Sequence, residues 1–198
     1  MSITAIDCDV HPTVTDIRQL TPHLDEYWRD SVEERGIGSL ESAAYPPNAP
    51  ITARPDWRGN NGYAATSAAD LAAQVLDKWG ASHAILNCLY GVQLVYNEDM
   101  ARAFHRALND WIAQEWLDRD PRLRASIVVP TRVPEMAAEE IDRVGERPEF
   151  VQVLLPVRSE APYGARRYLP IFEAAARHDL VVSLQFGGGP GNPPTGAG

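Results

Sequence analysis

The segment Asp7-Cys8-Asp9-Val10-His11-Pro12 carries the side chains of this 198-residue chain that are best suited to chemistry. In an extended strand, alternate side chains point to opposite faces, which puts Asp7, Asp9 and His11 together on one face. A carboxylate and an imidazole one strand repeat apart can ligate a divalent cation such as Zn²⁺, Mn²⁺ or Fe²⁺. The alternative is structural: Asp9 and His11 cap a strand ahead of a proline and bond to loop amides.

A long irregular region between about residues 12 and 66 holds a second group of candidates. Proline and glycine recur so densely over residues 45–62 that regular structure is excluded there. A loop of this length inside a compact domain more often serves a function than links domains. Arg54 and Arg58 flank Trp57 in this loop, and the three can bind a substrate carboxylate and stack on a ring. The alternative is a solvated loop in which Trp57 is structural.

Asn87 and Tyr90 are further candidate substrate contacts, because they follow the second predicted strand. Residues at the carboxyl ends of parallel strands face the site in barrel enzymes. Cys8 and Cys88 lie in apolar, strand-like runs and are predicted to be reduced thiols in the core. The histidines other than His11 are expected to be structural: His23, His83, His105 and His178.

Strands and helices alternate regularly from residue 67 onwards. The predicted strands after the first are residues 84–89, 123–129, 150–155 and 180–186, with amphipathic helices between them. Such alternation predicts an α/β fold with a parallel sheet and right-handed crossovers. Two architectures are open at this point, a doubly wound sheet and a closed eight-stranded barrel. The first strand is followed by neither a Gly-x-Gly-x-x-Gly turn nor a phosphate-binding loop, so nucleotide binding has no support.

The composition is that of one ordinary globular domain with a substantial core, since 44% of the residues are hydrophobic. A formal net charge of -9 argues against nucleic acid and against an anionic membrane surface as partners. No apolar run approaches the length of a membrane span, and no leader-like segment opens the sequence. We therefore expect a cytoplasmic protein whose partner is a small-molecule substrate.

The whole pattern resembles the amidohydrolase-related family of metal-dependent TIM-barrel enzymes, which includes hydrolases and aminocarboxymuconate-semialdehyde decarboxylase. The resemblance extends over nearly the full chain, in the right order. Its carriers are Ile6-Asp7-Cys8-Asp9-Val10-His11-Pro12, Asn109-Asp110-Trp111, Asp120-Pro121-Arg122-Leu123, Tyr168-Leu169-Pro170-Ile171-Phe172-Glu173-Ala174-Ala175 and the strand that ends Ser183-Leu184-Gln185-Phe186. The resemblance implies a (β/α)₈ barrel and a metal-dependent hydrolase or non-oxidative carboxy-lyase. Its substrate would be a small metabolite that bears a carboxylate or a ring.

The resemblance also implies a ligand set, which this sequence matches only in part. Asp9 and His11 match the two ligands of strand one, and the cofactor would be a divalent metal, Zn²⁺ before Mn²⁺ or Fe²⁺. The histidine of strand five falls on Gln185, whose neutral amide is a weak ligand. The aspartate of strand eight has no counterpart in the 198 residues.

The sequence therefore predicts a single barrel domain over residues 1–198, truncated after about five strand-helix units and carrying the loop insertion at 12–66. Complete barrels of this kind typically take about 250 residues. We expect a fragment of a longer protein whose open edge strands favour homo-oligomers. The alternative is a non-catalytic barrel remnant without a complete metal site.

Overall fold

The computed structural model describes residues 5–40 and 53–188, in which five strands alternate with helices. The strands are β1 (Ala5–Val10), β2 (Ala81–Leu86), β3 (Leu123–Val128), β4 (Phe150–Arg158) and β5 (Val181–Gly188). The α-helices are α1 (Glu26–Glu34), α2 (Ala68–Leu71), α3 (Glu98–Ile112), α4 (Pro134–Val144) and α5 (Leu169–Arg177). Residues 41–52, which hold part of the predicted loop, lie outside the described residues.

The five strands form one parallel sheet in the order β1-β2-β3-β4-β5. Each strand therefore pairs with the next one along the chain, and the order never reverses. A doubly wound sheet reverses its strand order at a switch point, whereas a barrel adds each strand on the same side. The barrel alternative is thus confirmed, in the form of a curled half-barrel of five strand-helix units.

Local sequence signals explain where the helices begin and end. The side chains of Ser67 and Asn97 accept hydrogen bonds from the first turns of α2 and α3, and Pro134 occupies the first turn of α4. Gly80, with φ of +66°, ends the second helical segment. Two π-helical stretches, Ala72–Asp77 and Ala113–Leu117, continue α2 and α3 towards the strands that follow.

The second strand lies earlier than the sequence pattern predicts. It ends at Leu86, so the apolar residues 88 and 89 belong to the following loop. Asn87 is consequently the first residue after the strand, and its amide still continues the ladder by donating to the carbonyl of Val10 at 2.7 Å. This position brings Asn87 to the carboxyl end of the sheet, level with the end of β1.

The core lies between the sheet and the helices that cover its outer face. Phe104, Leu108 and Ile112 of α3 are fully buried, as are Leu123 and Ile127 of β3. Full burial of such a side chain contributes about 1.5–3 kcal/mol. This packing fixes the middle strands and hence the positions at which their carboxyl ends stop.

The outer faces of the edge strands differ from the expectation of complete burial. Cys8 is exposed, which contradicts its prediction as a core thiol, whereas Cys88 is buried as predicted. Ile6 on β1 and Leu184 and Phe186 on β5 are also more than half exposed. The reason is the position of β1 and β5 at the two ends of the sheet, where the described helices leave these side chains uncovered. No helix among residues 5–40 and 53–188 is long and apolar enough to cross a membrane.

Candidate functional site

Asp9 and His11 face each other at the carboxyl end of β1. Their nearest side-chain atoms, Asp9 Oδ1 and His11 Nε2, are 3.7 Å apart. The other ring nitrogen of His11, Nδ1, lies 2.9 Å from the backbone carbonyl of Asn87. Because a carbonyl oxygen can only accept, Nδ1 carries a proton, and Nε2 is the ring nitrogen that lies towards Asp9. This orientation is the one found in histidines that ligate metals.

Gln185 reaches the same carboxylate from the far edge of the sheet. Its Nε2 donates to Asp9 Oδ1 at 3.3 Å. The structure therefore brings together Asp9, His11 and Gln185, the three residues expected to surround a metal. It does so through the curl of the sheet, which carries β5 round towards β1.

Asn87 lies beneath this group and contacts both members of the pair. Its side-chain amide donates to Asp9 Oδ1 at 2.8 Å, and its backbone carbonyl binds His11 as described above. It is 4% exposed and does not line the cavity beside the site, although the sequence predicted it as a substrate contact. The physical reason is that Asn87 is buried beneath Asp9, where protein groups already occupy both protons and the oxygen of its side-chain amide.

A cavity of about 350 Å³ opens beside the pair. Ligand pockets in proteins typically start near this volume, so the space suits a small metabolite. Asp9 and His11 form one wall, and Arg54 and Trp57 of the long loop form another. Further lining residues, which sequence reasoning did not single out as substrate contacts, are Asp7, Thr13, Tyr63, Leu71, Gln74 and Val75.

Hydrogen bonds from Thr13 and Gln74 hold the described loop residues 53–65 in place. Thr13 donates through its backbone N–H to the carbonyl of Ala65 at 2.9 Å and through its hydroxyl to the carbonyl of Ala64 at 2.8 Å. Gln74 donates to the carbonyl of Trp57 at 3.2 Å. Ala65 has φ of +50°, a left-handed conformation that costs a residue with a Cβ atom about 1 kcal/mol or more. The loop is thus held over the cavity in a strained but well-bonded conformation.

Arg54 is the cationic side chain on the cavity wall, and it already has an internal partner. Its guanidinium donates two hydrogen bonds to Asp56, at 3.0 and 2.8 Å, and lies 5.3 Å from the centre of the Trp57 ring. These hydrogen bonds hold the pKa of Asp56 below its usual value. Both side chains are about half exposed, so water screens the pair and its net strength is small. A substrate carboxylate would compete with Asp56 for Arg54.

Two predicted substrate contacts lie away from the cavity. Arg58 points from the loop into solvent and donates to the carbonyl of Ala53 at 3.2 Å. Tyr90 is buried, and its hydroxyl accepts a hydrogen bond from the backbone of Leu40 at 2.8 Å. Burial raises the pKa of Tyr90 above its ordinary value. Its role is therefore to anchor the segment near residue 40.

Sequence reasoning missed two polar residues within the middle strands, Ser126 and Gln152. Both bond to the side-chain oxygen of Asn87, Ser126 Oγ at 2.5 Å and Gln152 Nε2 at 3.0 Å. The available signal was the one that revealed Asp9, namely a polar residue inside an otherwise apolar strand. Ser126 is fully buried, and such a hydroxyl needs a partner inside the barrel.

The donors fit a divalent cation only as a partial ligand set. Asp9 offers a carboxylate oxygen, His11 an imidazole nitrogen and Gln185 an amide, and carboxylate and amide oxygens suit cations such as Mn²⁺. Within the described residues, no group of three or more His, Cys, Asp or Glu side chains is placed to hold a metal ion. Water or groups outside the described residues would have to complete the coordination, so the pair by itself predicts weak binding.

Solved structures with the same fold include several decarboxylases and a putative amidohydrolase from Staphylococcus aureus. The chain resembles 5-carboxyvanillate decarboxylase from Novosphingobium aromaticivorans, which contains manganese and 3-methoxy-4-hydroxy-5-nitrobenzoic acid, with a TM-score of 0.62, 20% identity and coverage of 91% of this chain and 50% of that chain. It also resembles dihydroxybenzoic acid decarboxylase from Polaromonas sp. JS666, which contains manganese and 2-nitroresorcinol, with a TM-score of 0.61, 17% identity and coverage of 92% and 49%. For 2,6-dihydroxybenzoate decarboxylase from Rhizobium the corresponding values are 0.58, 17%, 91% and 49%.

The chain thus spans about half the length of these proteins. No curated protein sequence gives a significant match. At such low identity the structural likeness shows the fold alone. A family model described as amidohydrolase, however, matches residues 6–197. The resemblance drawn from the sequence motifs is confirmed, and the chain belongs to the amidohydrolase family.

Proposed function

We propose that this chain carries part of the active site of a metal-dependent carboxy-lyase or hydrolase that acts on a small, ring-containing carboxylate. The observation that carries the proposal is the Asp9 and His11 pair, which lines a cavity of about 350 Å³ together with Arg54 and Trp57. The carboxy-lyase is supported by two similar structures, which are decarboxylases with a substituted benzoic acid or a resorcinol ligand, and the hydrolase by a similar putative amidohydrolase.

Asp9 and His11 would hold the cation, with Gln185 as a weaker third ligand. A bound cation supplies an acidified water molecule and polarises the substrate. Manganese in two of the similar structures supports a divalent metal. Two metals are candidates for this site. The sequence favours Zn²⁺, whereas a donor set rich in oxygen atoms favours Mn²⁺.

Arg54 and Trp57 would bind and orient the substrate. The Trp57 ring offers a face for stacking, and the Arg54 guanidinium can form a two-point contact with a carboxylate once Asp56 is displaced. The loop that carries both residues also shields one side of the cavity from water. Asp9 and His11 face the same space, so a ring held against Trp57 lies beside the candidate metal ligands.

The metal part of the proposal is tested by loading the full 198-residue chain with Mn²⁺ or Zn²⁺ and measuring bound metal after gel filtration. We expect weak, substoichiometric binding that is lost in Asp9→Asn and His11→Ala. His83→Ala is the matched control, since His83 lies on β2 and its ring bonds to Ser82. Equal binding by all four proteins would refute the metal assignment.

The substrate part is tested by measuring the affinity of a substituted benzoate for the same chain by calorimetry. Arg54→Ala should weaken binding by about 5- to 30-fold, which corresponds to the loss of one or two charge-assisted hydrogen bonds at a partly exposed site. Arg58→Ala removes the same charge from the same loop outside the cavity, so it should bind almost like the wild type. Equal losses in both variants would mean that only the net charge of the loop matters.

A second candidate function is a non-catalytic barrel that has lost its metal chemistry. It is favoured by the partial ligand set, in which the strand-five position holds Gln185 instead of a histidine. Failure of the chain to bind either metal, together with no turnover of amides, lactones or aromatic acids by a chain extended to eight strands, would favour this candidate. Under either candidate function we expect homo-oligomers, because β1 and β5 expose apolar side chains.

A further inference from the structure

Asn87 is the one described residue that bonds to both Asp9 and His11. Its side-chain amide donates one proton to Asp9 Oδ1 at 2.8 Å and the other to the backbone carbonyl of Cys8 at 3.1 Å. Its backbone carbonyl accepts from Nδ1 of His11 at 2.9 Å. One buried residue at the end of β2 thus fixes the carboxylate and the imidazole at the end of β1.

The direction of these hydrogen bonds is set by a network inside the half-barrel. Gln152 Nε2 donates to Ser126 Oγ at 2.7 Å and to Asn87 Oδ1 at 3.0 Å. Because Ser126 accepts from Gln152, its own proton is available for Asn87 Oδ1, which lies 2.5 Å away. The oxygen of the Asn87 amide is therefore occupied, and its nitrogen must face Asp9.

A rotated Asn87 amide would break the contacts with Gln152, Asp9 and Cys8. Its nitrogen would then face the Gln152 amide nitrogen, and its oxygen would face the Asp9 carboxylate. Both juxtapositions are repulsive, and they would occur in a buried place where unmet hydrogen bonds cost about 1–3 kcal/mol each. Ser126 and Gln152 consequently hold Asn87 in the one orientation that can donate to Asp9.

The carboxylate of Asp9 needs such support, because its side chain is more than half exposed. A free aspartate at a strand end samples several rotamers, and binding a cation would require it to be ordered. The hydrogen bond from Asn87 orders Oδ1 before a cation arrives. The bond to the carbonyl of Asn87 likewise holds the imidazole of His11 with Nε2 on the side of Asp9.

We propose that Asn87 is a positioning residue that preorganises Asp9 and His11 as a ligand pair, and that Ser126 and Gln152 lock its orientation. This inference rests on the proposed metal site, and it adds a cause for the geometry of that site. Groups that orient metal ligands typically contribute 10- to 100-fold to metal affinity. Asn87 would therefore influence the cation without touching it.

The test measures Mn²⁺ affinity of the full chain by electron paramagnetic resonance of free Mn²⁺. Asn87→Ala should weaken Mn²⁺ binding by about 10- to 100-fold. Ser126→Ala should weaken it by a smaller factor, because it removes only one hydrogen bond that orients the Asn87 amide. Asn109→Ala is the matched control, since Asn109 is an equally buried asparagine whose amide bonds to Val128 and Glu140 on the helical side of the sheet. It should lower the stability of the fold and leave Mn²⁺ affinity unchanged.

A purely structural role for Asn87 is distinguished by the spectrum of the bound ion. Loss of positioning should alter the zero-field splitting of the residual bound Mn²⁺ in Asn87→Ala and in Ser126→Ala, while Asn109→Ala keeps the wild-type spectrum. If Asn87→Ala and Ser126→Ala bind Mn²⁺ with wild-type affinity and spectrum, the inference is overturned. The same holds if Asn109→Ala loses as much affinity as Asn87→Ala.

Failure of the metal site itself gives a different result. If the wild-type chain binds no Mn²⁺, the proposed function fails, and the positioning inference is then decided by nuclear magnetic resonance without metal. Slow exchange of the side-chain amide protons of Asn87 with solvent, accelerated by Ser126→Ala, supports the locked network. Exchange as fast as that of the exposed Asn61 amide overturns it.

Discussion

Gln185 Nε2 lies 3.3 Å from Asp9 Oδ1, although the two residues belong to strands at opposite edges of the sheet. In a flat sheet, four strand spacings of about 4.8 Å would separate these strands by roughly 19 Å. The contact therefore requires the sheet to curl until its first and fifth strands face each other across the barrel interior. It also brings the amide of Gln185, the residue that the resemblance matches with a histidine ligand, to the carboxylate of Asp9.

Gln185→His should raise the affinity of the chain for Zn²⁺ or Mn²⁺ by about tenfold or more, because imidazole nitrogen is a much stronger ligand than a neutral amide. The measurement is a metal titration by calorimetry. Leu184→His is the control, since it adds the same ring one residue away on the exposed outer face of β5. If both variants gain equally, the added histidines bind metal by themselves and residue 185 does not point at Asp9.

Glu140→Ala should destabilise the fold by about 2–4 kcal/mol. Glu140 is 3% exposed and accepts hydrogen bonds from Asn109 and Arg143. Its removal takes one hydrogen bond from the buried Asn109 amide and two from the Arg143 guanidinium, which keeps its pair with Asp110. Urea unfolding measures the change. Glu139→Ala on the same helix breaks an exposed ion pair with Arg102 and should cost less than about 1 kcal/mol. Similar losses in both variants would contradict the assigned role of Glu140.

His105 should make the stability of the chain depend on pH between about 6.5 and 4. Burial is the main cause that lowers the pKa of this histidine to about 4. Above pH 6.5 the ring is neutral in both the folded and the unfolded chain, and its full contribution to stability is present. As the pH falls from 6.5 towards 4, the unfolded chain takes up a proton that the folded chain does not, so stability falls by roughly 3 kcal/mol.

Urea unfolding at a series of pH values tests this expectation. His105→Leu should flatten the slope between pH 6.5 and 4, whatever its effect on stability at neutral pH. His23→Gln removes a partly exposed histidine in a turn before α1 and should leave the slope unchanged. A slope that survives in His105→Leu would assign the pH dependence to other groups.

The edge strands should cause the chain to associate. Ile6, Leu184 and Phe186 expose apolar side chains beside unpaired strand edges, a combination that promotes self-association. Light scattering should detect oligomers of the wild-type chain and a shift towards monomer in the double variant Leu184→Ser and Phe186→Ser. Tyr27→Ser, which removes an equally exposed ring from α1, should leave the oligomers intact. A monodisperse wild-type monomer would contradict the expectation.

Short-range signals in the sequence were sufficient to predict the alternating elements and the Asp9 and His11 pair. Helix caps such as Ser67 and Asn97 act within one turn, and strand periodicity acts within a few residues. The role of Asn87 depends on Ser126 and Gln152, which lie 39 and 65 residues further along the chain. Such contacts follow from strand register and sheet curl, which no local pattern encodes.

Local sequence patterns also could not predict which side chains at the sheet edges are buried. Cys8 lies in an apolar run typical of a core strand, yet the face on which it lies has no described cover. Its exposure depends on what packs against β1, which is a property of the assembled sheet. The placement of Tyr90 is similar, because its distance from the cavity results from the path of the segment near residue 40 that it anchors.

Thr13 connects the loop beside the cavity with the chain segment that carries His11. Opening the loop at Ala64 and Ala65 requires both hydrogen bonds of Thr13 to break, and Thr13 follows His11 by only two residues. The strained backbone of Ala65 favours that opening, while the two bonds oppose it. A displacement of the loop at Ala64 and Ala65 would therefore act on the backbone two residues from His11.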